Sequence, residues 1–134
     1  MSLGRYEEYR QDIRSYPEVL ARLIHIANYA RILGDADTFV EAVEALYDTL
    51  PPKIRENLEK EREKLEKEFK EILARIKEKT YEIDDPINQA RFYTCKRAQA
   101  YKKYASILLK MIIAELDKAG LLLSKQTLFQ GGSV

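Results

Sequence analysis

Residues able to do chemistry are few in this chain, and the densest group of them is a run of cations. Between Pro86 and Ala114 stand six Lys or Arg residues and no acid, interleaved with Phe92, Tyr93, Tyr101 and Tyr104. Read as a helix at about 100° per residue, Arg91, Lys96, Lys102, Lys103 and Lys110 fall within about 140° of one another. Lys96, Lys103 and Lys110 recur every seven residues. A one-signed helix face of three or more turns is the electrostatic footprint of a protein that holds nucleic-acid backbone, because phosphates ask for charge and not for base contacts. The tyrosines fall mostly on the other side, so base stacking is not expected. The same cations have a plainer use, as a solvated face or one docked on an acidic part of the same fold.

Other chemistries find no foothold. Metal binding needs clustered His, Cys or carboxylates at ligand spacing, and the chain has one His, His25, and one Cys, Cys95, about 70 residues apart. The pairs Asp35/Asp37 and Asp84/Asp85 sit where helix caps belong. Nucleophilic catalysis by Cys95 requires a base and an orienting third group. The only His lies in another predicted helix, off its apolar face together with Arg22 and Asn28. No Gly-rich phosphate loop is present. The expectation is a non-enzymatic protein with no cofactor, no metal and no small-molecule substrate. A helix-turn-helix around Gly34 would present a recognition helix with Glu41, Glu44 and Asp48 and no cation, which phosphates would repel.

The elements that must position the cations are all helical. Tyr6, Tyr9, Ile13 and Tyr16 fall at helical spacing, predicting a short helix over 3–15. Ser15-Tyr16-Pro17-Glu18 reads as a capping box with Pro in the first turn, opening a second helix. Val19, Leu20, Leu23, Ile24, Ile26, Ala27, Ala30 and Leu33 form its broad apolar face, and Gly34 stops it. Asp35 or Asp37 caps a third helix over 37–50, buried through Phe39, Val40, Val43, Leu46, Tyr47 and Leu50. Pro51-Pro52 ends it and starts a fourth.

Residues 53–82 contain a helix of roughly 29 residues, about 43 Å long. Leu58, Arg62, Leu65, Phe69, Ile72, Ile76, Lys79 and Ile83 alternate by three and four, the seam of a coiled coil flawed at Arg62 and Lys79. Glu and Lys four apart surround it, each pair adding roughly 0.2–0.5 kcal/mol. Asp85 and Pro86 open the basic helix over 86–119, and Gly120 closes it. Tyr93, Arg97, Tyr101, Tyr104, Leu108, Met111, Ile112 and Glu115 are its expected core stripe. The fold expected is all-α, a bundle of about five helices in one domain over 1–123. Three short helices within 3–50 pack on a long antiparallel hairpin with coiled-coil character, and 124–134 form a loose tail.

Near-neutral net charge hides a polarity. Residues 1–50 carry five Arg, no Lys and nine acids, whereas 83–134 carry eight cations and four acids. No apolar run reaches the ~18 residues of a membrane span, and no signal-like segment leads the chain. With a single cysteine, a cytoplasmic location is expected. The abundance of Glu, Lys and Arg is compatible with a thermophilic source.

Two function classes follow. The first is a small α-helical subunit or accessory protein of a nucleoprotein assembly, contacting nucleic-acid backbone without sequence specificity through Arg91, Lys96, Lys102, Lys103 and Lys110. The second is a protein-interaction or scaffolding module in which the seam Leu58, Leu65, Phe69, Ile72 and Ile76 pairs with a partner helix or with its own copy as a homodimer. Over about fifteen residues, the run from Arg91 to Tyr104 loosely resembles a basic helix of the small α-helical subunits of CRISPR effector complexes. The aromatic-rich C-terminal helix that some of those subunits carry has no counterpart, so no residue role is carried over.

Overall fold

The computed structural model describes residues 16–122, and these form four helices with no strand among them. They are α1 (Tyr16–Leu33), α2 (Ala36–Thr49), α3 (Pro52–Tyr81) and α4 (Pro86–Lys118). The helix predicted over 3–15, the Ser15 half of the capping box and the tail from 124 lie outside the described residues.

Local chemistry sets the boundaries. Gly34 has a φ of +78°, a left-handed turn that side chains disfavour, and it ends α1. Asp35 caps α2: its carboxylate accepts from the Thr38 N–H at 3.1 Å and from the Thr38 hydroxyl at 2.6 Å. Pro51 and Pro52 separate α2 from α3, with Pro52 at a position whose N–H has no helical acceptor anyway. Asp85 accepts from the Asn88 N–H at 3.3 Å, with Pro86 opening α4. Gly120, at φ +69°, follows its end.

α1 packs chiefly on α2, α2 on α4, and α3 runs antiparallel along α4. Among the described residues, buried side chains fall in two stretches, 19–58 and 104–116, and none lies between them. The molecule therefore has a body, made of α1, α2 and the adjoining ends of the hairpin, and an arm made of α3 and α4 alone. Phe39, Leu46, Leu50, Ile112 and Leu116 are completely buried in the body. In the arm the α3 row meets α4: Leu58 is buried at its base, and Phe69 packs edge-on against Tyr101 at 4.6 Å and tilted against Tyr104 at 5.0 Å. Leu65, Ile72, Ile76 and Ile83 continue the row half-buried. At the loop, the Gln89 side-chain amide donates to the Thr80 carbonyl at 3.2 Å, holding the helices together to the tip.

Three expectations are adjusted. Ile26 and Leu33, placed on the core face of α1, are 45 % and 65 % exposed, and Asn28 is buried instead. α1 is apolar nearly all round, so its pattern cannot say which side meets α2. On α4 the row Tyr104, Leu108 and Ile112 is buried as expected, but a second row of Ala105, Leu109 and Leu116 is buried beside it. There α4 is flanked by both α2 and α3, and one stripe cannot cover two neighbours. Arg62, a flaw in the α3 seam, lays its guanidinium over the Tyr47 ring of α2 at 4.7 Å and pairs with Glu66 at 3.7 Å. A long cation with an apolar stem suits the edge where α2 meets the arm.

Candidate nucleic-acid interface

The cationic face stands on α4, whose register is set by its buried rows. Tyr104, Ala105, Leu108, Leu109, Ile112 and Leu116 hold one side of the helix in the body. By helical geometry the opposite side carries Lys96, Lys103 and Lys110 at its centre, with Arg91 and Lys102 along one edge. Arg91, Lys96, Lys103 and Lys110 are exposed and Lys102 is half-buried. Nineteen residues separate Arg91 from Lys110, a rise of about 28 Å, with about 10.5 Å between successive lysines of the seven-residue repeat.

The five cations make no ion pair with a described residue. The side-chain ion pairs resolved nearby, Arg62–Glu66 and Glu115–Lys118, each lie within one helix and involve none of them. Lys96 leans over the Phe92 ring at 5.9 Å, a long cation–π contact that leaves its ammonium in solvent. Cys95, exposed, and Gln99 share the face, the Gln99 amide reaching the Cys95 sulfur at 3.5 Å.

The acids of α2 look elsewhere. A cleft of about 660 Å³ separates the N-terminal half of α2 from α4. Asp35, Asp37, Glu41 and Glu44 line one wall and Thr94, Arg97, Ala98 and Tyr101 the other, and none of the five cations reaches it. Burial, and then the Asp48 carboxylate, raises the Glu44 carboxyl above the usual glutamate range. Arg97, expected on the core stripe, is exposed here and folds over its own Tyr101 ring at 4.7 Å. The sequence pattern did not reveal this cleft, because its two walls come from helices far apart in the chain.

The remaining candidates fall apart in space. His25 is exposed and stacks on Tyr29 at 6.3 Å, in a different helix from Cys95. Among the described residues no three His, Cys, Asp or Glu side chains are grouped so as to hold a metal ion. No helix among them is long and apolar enough to cross a membrane. No family model, curated protein or solved structure matches the chain.

Proposed function

We propose that the protein is a small, non-enzymatic helical subunit or accessory protein of a nucleoprotein assembly, and that α4 holds nucleic-acid backbone through Arg91, Lys96, Lys102, Lys103 and Lys110. The observation that carries this reading is the contrast between the two arm helices. α3 alternates Glu with Lys around its surface and neutralises itself, whereas α4 carries no acid from Pro86 to Ala114, and none of its five cations pairs with a carboxylate among the described residues. An exposed row of lysines seven residues apart, with the tyrosines mostly on the other side of the helix, suits phosphates more than stacked bases.

Five phosphate contacts predict a slope of about −4.5 for log affinity against log salt on duplex DNA, a loss of roughly 500-fold between 50 and 200 mM salt. The triple variant Lys96→Glu, Lys103→Glu, Lys110→Glu should abolish binding or cut that slope to about −2 or less in fluorescence anisotropy. A bound duplex should also slow thiol labelling of Cys95, which lies on the same face. Unchanged salt curves in the triple variant, with Cys95 equally reactive, would remove the cationic face from consideration.

A second reading is favoured by the arm itself. Of the α3 seam Leu58, Leu65, Phe69, Ile72 and Ile76, Leu58 is buried at the base and the other four are only half-buried, with no buried residue from 59 to 103. A scaffolding partner, or a second copy, would add a helix along that half-open seam.

A further inference from the structure

α1 carries a second apolar row on the side turned away from the core. Ile26, Tyr29, Ile32 and Leu33 are 45, 57, 49 and 65 % exposed, while Val19, Leu20, Leu23, Ile24, Ala27 and Ala30 are buried on the opposite side. A helix with an apolar row on its outer side as well expects cover there too, and among the described elements α1 packs chiefly on α2, on the other side; Glu18, Arg22 and His25 lie exposed among the outer row. Four large apolar side chains within about two turns expose on the order of 400 Å², the scale at which a contiguous patch marks an interaction site. The other strongly exposed apolar residues, Tyr81 and Ile87, flank the hairpin loop and belong to no such row.

A groove of about 280 Å³ runs beside the row, between α1 and the first turn of α2. Ile26, Tyr29, Ala30 and Leu33 line it with His25, Asp35 and Thr38. Ridge and groove therefore lie side by side on one face, the arrangement a two-fold axis can make self-complementary.

Charge selects the orientation. Arg22 sits on the same face one turn before Ile26, and the corner after Leu33 carries Asp35 and Asp37, all three exposed. In an antiparallel crossing centred on Tyr29, residues equally far before and after it meet. Ile26 then faces Ile32, and His25 faces Leu33. α1 ends at Leu33, so Arg22, about 10 Å before Tyr29 along the axis, comes within a side chain's reach of the partner's corner that carries Asp35 and Asp37. A parallel pairing would set Arg22 on Arg22 and the corner acids on each other.

We propose that a second copy of this chain covers the row, α1 against α1, antiparallel about a two-fold axis near Tyr29. The two Tyr29 rings meet at the axis, each on the rim of the groove it lines, and Arg22 of each copy pairs with the Asp35/Asp37 corner of the other. Two patches with their polar rims bury roughly 1,000–1,200 Å², the lower end for a specific interface, so the dimer is reversible. This surface is separate from the lysine face of α4, and its success or failure leaves the nucleic-acid reading untouched.

Sedimentation velocity of the full chain from low to high micromolar concentration tests it. The wild type should pass from monomer to dimer. Tyr29→Asp, at an exposed position, should stay monomeric with its helical circular dichroism intact. Arg22→Glu and Asp37→Arg should each weaken the dimer by roughly tenfold or more, because each sets like charges opposite in both symmetric contacts. Mixed in equal amounts, these two variants should recover wild-type affinity as a heterodimer, since both contacts become complementary again. A wild type monomeric throughout would overturn the proposal and give the row to residues 1–15 or to a different protein. A dimer indifferent to Tyr29→Asp would place the interface elsewhere, the hairpin first. A mixture no tighter than either variant alone would refute the antiparallel register.

Discussion

One helix, α4, passes through both regions of the molecule, and the body and the arm differ in what they ask of it. In the body it lies between α2 and α3 and buries two adjacent rows, Tyr104–Leu108–Ile112 and Ala105–Leu109–Leu116. In the arm it meets α3 alone, and Tyr93, Ala100 and Tyr101 are no more than half-buried. The same helical period thus yields a closed core where three elements meet and a half-open seam where two do. The difference also divides the labour. Burial is concentrated in the body, and the arm holds much of its surface exposed, with cations that pair with no described carboxylate on α4 and self-neutralising Glu and Lys on α3.

The sharpest way to break this comparison is to remove equivalent apolar volume from each region. Leu46→Ala or Leu116→Ala, at completely buried sites, should cost about 2–5 kcal/mol in urea unfolding. Ile76→Ala, at a half-buried arm site, should cost about 1 kcal/mol. Equal losses would mean that the arm is as firmly packed as the body. Next in size is amide hydrogen exchange. Amides of α2 and of 104–116 should exchange only through global unfolding, whereas those of 66–80 and 90–100 should exchange through smaller openings of the arm. Uniform protection along α4 would erase the boundary near Tyr104.

The smallest effect belongs to Glu44, at the cleft where α2 parts from the arm. Burial, then Asp48, raises its carboxyl, so the folded chain holds that proton more tightly than the unfolded chain. The contribution is present at acid pH and is lost as pH rises through the window between the ordinary glutamate value and the raised folded one. Glu44→Gln should therefore flatten thermal stability across that window and raise Tm slightly at neutral pH. A lower neutral-pH Tm would show that the ionised Glu44 has a cationic partner, with Arg62, whose charge already opposes the rise, the first candidate.

Much of the fold was legible in the residues. Gly34, Asp35, Pro52, Asp85, Pro86 and Gly120 mark boundaries that the structure places within a residue or so of expectation, because caps and left-handed turns are decided by neighbours within a turn. The relation of the cations to the core row of α4 was also readable, since helical geometry puts Lys103 and Lys110 opposite Leu108 and Ile112 whatever the surroundings. Less was legible wherever two distant elements meet. Ile26 and Leu33 read as core on α1, and nothing in a helix apolar on both sides says which side α2 will take. Arg62 read as a flaw in the seam until Tyr47 of α2 appeared beneath it.

The sequence by itself determined the all-helical character, the stops and starts, and the acid-free basic run, all set by interactions within a few residues along the chain. Only the tertiary structure decided that α2 covers the base of the hairpin and leaves the arm to two helices. It also decided that Asp37, Glu41 and Glu44 of α2 share a cleft with Arg97 and not with the lysines, and that the described residues leave the apolar row Ile26–Leu33 exposed. Those outcomes depend on which of several apolar faces meet, and burial free energy, proportional to area and indifferent to direction, is resolved only when the pieces are packed together.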